Sequence, residues 1–115
     1  MSQQSFSVSQ FLNRIGETEA NPKGFESSFR YFGKLVIDDG TLRGMLAQSF
    51  IGKKFTVHVL DVQNMSDLPQ ELSSELFPFK GLLAVKFTRR RLEPYAMGAG
   101  AGKNYTKAYV LVENP

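Results

Sequence analysis

The chain of 115 residues contains no cysteine and a single histidine, His58. Without cysteine there is neither a disulfide framework nor a thiolate metal site, which suits a reducing compartment without demanding one. With no second histidine and no spaced acidic cluster, zinc-type ligand spacing is missing as well, so no metal and no cofactor are expected. His58 falls in an apolar, strand-like stretch, where a satisfied sheet residue accounts for it better than a general base. Asp38-Asp39 is explained by a turn before magnesium, and Glu71 and Glu75, one helical turn apart, are an ordinary solvated pair. These absences argue against an enzyme.

Long apolar runs are also missing. No stretch approaches the roughly 18–20 residues that cross a bilayer, and the first residues lack the basic and apolar blocks of a signal peptide. The expectation is a soluble cytoplasmic protein without a membrane partner. No internal repeat is evident. With 42% hydrophobic and 12% aromatic residues, the length suits about one globular domain.

Positive charge is present but uneven. Residues 80–115 carry seven cations against two acids, a net of +5, whereas residues 1–79 carry seven cations against nine acids, a net of −2. The basic part centres on Arg89-Arg90-Arg91, followed by a loop with Gly98, Gly100 and Gly102. The loop spacing refuses a nucleotide fold. A phosphate loop needs glycine where Met97 stands and Ser or Thr where Asn104 stands, and the third glycine of a dinucleotide fingerprint would fall at Lys103. Flexibility is the remaining explanation, and the arm from Arg89 to Tyr105 is expected to order when a polyanion binds.

Local patterning divides the chain. Val8, Phe11, Leu12 and Ile15 follow helical spacing, with Ser7 and Gln10 as a capping box and Gly16 as a stop. Asn21-Pro22-Lys23-Gly24 reads as a linker, so residues 1–24 form an N-terminal helix and linker and residues 25–115 a separate domain. From Phe29 the period becomes two. Phe29, Tyr31, Leu35 and Ile37 share one face of a first strand, closed by the turn Asp38-Asp39-Gly40. Leu42, Leu46 and Phe50 alternate in a second strand, Ile51-Gly52-Lys53-Lys54 makes a turn, and Phe55 to about Val62 forms a third. Gly33 and Gly44 are read as bulges or bends. Leu68, Leu72, Leu76 and Phe79 suggest a helix capped by Asp67 and ended by Pro78. Leu82–Thr88 and Tyr105–Glu113 are strands four and five.

The element order, three strands, a helix and two strands, resembles that of the OB-fold single-stranded nucleic-acid-binding proteins over roughly residues 27–113. The resemblance lies in element order, strand glycines and loop character. It implies an all-β barrel with one packed helix, to which the N-terminal helix is added, binding single-stranded DNA or RNA with little sequence preference. DNA is favoured, in replication, recombination, repair or mobile-DNA maintenance.

The residues expected to carry binding are basic and aromatic. Phe32, between Arg30 and Lys34, is the stacking candidate, since Phe29 and Tyr31 share a face with Leu35 and Ile37 and read as core. Arg43, Lys53, Lys54, Lys86, Arg89, Arg90, Arg91, Lys103 and Lys107 are phosphate candidates, although a run of arginines also suits a solvated hairpin arm. Tyr95 and Tyr105 flank the glycine loop and either stack on bases or pack its root. A homodimer or homotetramer is expected because one barrel offers a short site. Two rivals stand beside this reading: a protein-interaction module whose N-terminal helix docks on a partner, and a binder of small ligands or oligosaccharides.

Overall fold

A computed structural model describes residues 24–94 and 102–115. The expected N-terminal helix, Tyr95 and most of the glycine loop lie outside these residues. The described residues form an all-β fold with eight strands: β1 (Glu26–Ser28), β2 (Leu35–Asp38), β3 (Leu42–Ile51), β4 (Phe55–Asn64), β5 (Gln70–Glu71), β6 (Leu82–Phe87), β7 (Arg91–Leu92) and β8 (Tyr105–Glu113). Six of them form one antiparallel sheet, β1 and β2 both pairing with β3, followed by β4, β8 and β6; β5 and β7 form a separate ribbon.

The long strands follow from alternation and turn chemistry. In the β2–β3 turn, Asp39 Oδ1 accepts from the backbone N–H groups of Thr41 and Leu42 at 2.9 and 2.7 Å. Those two donors hold the Asp39 carboxyl below its usual pKa. At the far end of β3, Gly52 N donates to Phe55 O at 2.8 Å and closes the turn through Lys53 and Lys54.

The sheet does not close into a barrel. Among the described residues, no strand joins β6 to β1 or β2, so the expected barrel is corrected to an open sheet. The connection from β4 to β6 packs on one face of the open sheet. It lays Leu72 and Phe77 against Leu42, Leu46, Leu60, Val62 and Val110, and Leu92 joins the same core. The helix expected over this connection is replaced by β5 and a single 3-10 turn at Ser74–Leu76. Leu72, Leu76 and Phe79 do pack on the core, but Leu68 is 64% exposed. Pro69, Pro78 and Ser73-Ser74 are poor helix interior residues, and apolar spacing alone does not overcome them.

The first strand expected from Phe29 to Ile37 is also split. Residues 29–34 form a turn between β1 and β2, with hydrogen bonds from Phe32 N to Phe29 O and from Lys34 N to Tyr31 O, both 3.0 Å. Gly33 takes φ +85°, a conformation that glycine adopts without strain. Phe29, Tyr31 and Leu35 are consequently exposed and do not belong to the core. Gly44 lies in regular pairing with Val62 on β4, while on its other side the register with β2 shifts between Leu35 and Ile37; the bulge of β3 itself falls at Ala47, between Leu46 and Gln48.

That bulge reverses the faces of β3. Before it, Leu42 and Leu46 oppose Asn64 and Leu60 on the covered face; after it, Gln48 and Phe50 oppose Val59 and Val57 on the other. A second apolar cluster results, formed by Phe50, Val57, Val59, Tyr109 and Leu111. Among the described residues, no helix is long and apolar enough to cross a membrane.

Candidate nucleic-acid interface

The face carrying the second cluster is built in rows across the strands. Gln48, Val59, Tyr109 and Lys86 form one row, and Met45, Asp61 and Lys107 the next. Arg43, Gln63 and Tyr105 form the last, with Asp38 opposite Arg43 on β2. Directly opposed residues of antiparallel strands point to the same side, so these side chains share one surface.

An open groove of about 160 Å³ crosses this surface beside the β3 bulge. Phe50, Val59 and Tyr109 form its floor, Phe29 and Phe32 stand on one lip and Lys107 on the other. The floor is buried, Phe50 being 2% exposed, whereas Phe29 and Phe32 are 62% and 71% exposed. Such a volume is below the roughly 300–1,000 Å³ of pockets that enclose drug-sized ligands, and it fits a flat ring laid against aromatics. It does not favour the small-ligand rival.

The turn bearing the two phenylalanines is held to the sheet. Gly33 N donates to Leu46 O at 2.7 Å, Leu46 N donates to Lys34 O at 2.9 Å, and Arg30 N donates to Ser28 Oγ at 3.3 Å. Beside it, Gln48 Nε2 donates to Ser27 Oγ at 2.6 Å.

Charge is arranged around the groove. On the face itself, Lys107 lies opposite Asp61 and Arg43 opposite Asp38, so these cations have acids as neighbours. Tyr105 OH donates to Asp61 Oδ1 at 2.9 Å. The excess of cations sits on the rims: Arg30 and Lys34 on the edge turn, Lys86 on β6 across the sheet. Five strand positions at about 4.8 Å spacing put these rims roughly 19 Å apart.

Of the other expected site residues, Arg89 and Arg90 follow β6 as the chain bends; Arg89 N donates to Thr106 Oγ1 at 2.8 Å, and the Arg90 guanidinium lies 5.7 Å from the Phe87 ring centroid. Arg91 does not lie on one extended face with Arg89. It belongs to the β5–β7 ribbon, where it pairs with Glu71 at 3.7 Å and Glu93 at 3.4 Å. Lys103 sits at the root of the glycine loop, its carbonyl accepting from Glu93 N at 2.9 Å. Lys53 and Lys54 are at the opposite end of β3 from Arg43, roughly 25–30 Å away by strand rise, and do not join this site. His58 lies on the covered face, half-buried, sharing a hydrogen bond of 2.8 Å between its Nδ1 and Ser49 Oγ and stacking on Phe79 at 4.8 Å. Burial pushes its pKa down.

Sequence reasoning missed Phe29, Phe50 and Tyr109 as parts of this surface, and Tyr31 as an exposed ring. Gly33 was the available signal for the turn; nothing in Leu46-Ala47-Gln48 announces the bulge that turns Phe50 towards the groove. Among the described residues, no group of three or more His, Cys, Asp or Glu side chains is arranged to hold a metal ion. Neither protein-family models nor curated proteins give a match to this sequence.

Proposed function

We propose that the protein binds single-stranded nucleic acid, more readily DNA, in the cytoplasm and with little sequence preference, laying bases on the open face and phosphates on its rims. The observation that carries this reading is the pair of exposed rings, Phe29 and Phe32, standing over an apolar floor and interleaved with Arg30 and Lys34. Large aromatics left in water beside cations suit base stacking with phosphate contact. Arg89, Arg90 and Lys103, near the root of the glycine loop, add positive charge at that end of the sheet. One groove is short, so a homodimer or homotetramer would lengthen the site. The OB-type resemblance enters as a proposal of shared binding mode, without barrel closure.

Fluorescence anisotropy of a labelled oligonucleotide at two salt concentrations tests the proposal. Binding should weaken steeply with salt, and Phe29→Ala or Phe32→Ala should each cost about 1–3 kcal/mol with the salt slope nearly unchanged. Absence of binding at low salt would remove the reading. A protein-interaction module is the second reading, favoured by Asp38 and Asp61 on the open face and by exposed Leu35 and Met45 beside the rings.

A further inference from the structure

The exposed turn holds an arrangement that stacking alone does not explain. The Arg30 guanidinium lies 5.3 Å from the centroid of the Tyr31 ring, and the Lys34 ammonium lies 5.7 Å from the same centroid. The two charges are therefore no more than about 11 Å apart, and among the described residues neither is paired with a carboxylate. Two like charges gathered at one half-exposed ring repel each other, and an anionic chain that contacts both would relieve that repulsion. The backbone of the turn is fixed to β3 by the Gly33–Leu46 and Leu46–Lys34 hydrogen bonds, so the cations are presented from a rigid base.

We propose that Tyr31 is a positioning residue whose ring gathers Arg30 and Lys34 into a clamp for the phosphodiester backbone, next to the rings that receive the bases. This rests on the single-stranded nucleic-acid reading. The turn then delivers two functions from six residues: Phe29 and Phe32 face the groove, while Tyr31, which makes no part of the groove lining, organises charge. Arg30 and Lys34 are four positions apart, and without a ring between them both long side chains would sample many rotamers before meeting a phosphate.

The test is a salt titration of oligonucleotide binding by the full chain and its variants. Tyr31→Phe keeps the ring and should match the parent in affinity and slope. Tyr31→Leu removes the ring and should weaken binding severalfold while lowering the magnitude of the slope by about one to two units, the signature of lost phosphate contacts. Arg30→Ala with Lys34→Ala should produce the same slope change, and adding Tyr31→Leu to that pair should change nothing further. Parent-like behaviour of Tyr31→Leu, or weaker binding with an unchanged slope, would overturn the clamp and leave the nucleic-acid reading standing. No binding by the parent chain would remove both. Thermal melting of each variant confirms that the half-exposed position tolerates the change.

Discussion

The side-chain amide of Asn64, wholly buried at the end of β4, donates to the carbonyl oxygen of Leu92 at 3.3 Å. The same nitrogen donates to Leu68 O at 2.8 Å and Glu93 O at 3.1 Å, and Asn64 Oδ1 accepts from Ser66 N and Ser66 Oγ. One side chain thus ties the β4–β6 connection and the root of the basic loop to the sheet. Asn64→Leu should destabilise the protein by at least about 1–3 kcal/mol, because carbonyls in a dry core lose their donor. A urea midpoint matching the parent would contradict this role.

The two phenylalanines at positions 32 and 50 should separate binding from folding. Phe32→Ala removes an exposed ring and should leave stability within about 0.5 kcal/mol. Phe50→Ala opens the groove floor and should cost about 3–5 kcal/mol. Chemical denaturation of both variants measures the contrast.

Arg91 and Lys86 should behave differently despite equal charge. A phosphate approaching Arg91 competes with Glu71 and Glu93, whereas Lys86 lies across from Tyr109 on the open face. Lys86→Ala should lower the magnitude of the salt slope by about one unit, and Arg91→Ala should leave it within error. Equal slopes for the two variants would show that the ion pairs do not restrain Arg91.

Stability should fall as the solution is acidified below about pH 6.5. His58 resists protonation in the folded protein because burial penalises its charged form, while the unfolded chain takes up the proton at its ordinary pKa. The loss begins near the unfolded value and levels off beneath the lowered folded value, since the unfolded state binds more protons only between the two. His58→Gln should flatten melting temperature against pH in that window. Asp39 acts separately and lower: its depressed pKa gives stability that is lost only as pH falls below 3.8 and through its folded value.

Two glycines with positive φ should respond unequally to alanine. At Gly40, φ +85°, an added Cβ meets nothing within 4 Å, so the cost is the conformational one, about 1–2 kcal/mol. At Gly81, φ +78°, it would stand 2.7 Å from the carbonyl oxygen of Glu113, so Gly81→Ala should cost more. Thermal unfolding of both variants decides it.

Much of the sheet was legible because alternation and turn residues agreed. Alternation alone bounds Tyr105–Glu113 as the strand it is, and the Asp39 and Gly52 turns lie where their turn residues put them. The connection after β4 was not, because Leu72, Leu76 and Phe79 face the core equally well from an extended chain as from a helix. A period of two carried through Gly33 makes Phe29 and Tyr31 core, but the backbone turns there and leaves both exposed. The groove was legible only at its lips, where Phe32 and Lys107 follow from local chemistry, as do Arg30 and Lys34 beside it, but its floor depends on long-range register that no local pattern encodes.

The bulge at Ala47 puts the two halves of β3 in antiphase, and this makes the open surface sensitive to the parity of a single strand. Drawing Ala47 into the ladder would slide every later residue by one position, swinging Phe50 towards the covered layer and Ser49, the partner of His58, outwards. Deleting Ala47 would instead join Leu46 to Gln48 in regular alternation and leave both residues on their present sides. The two surfaces therefore keep their character with this residue bulged or absent, and lose it when one more residue than the partner strand can match is paired.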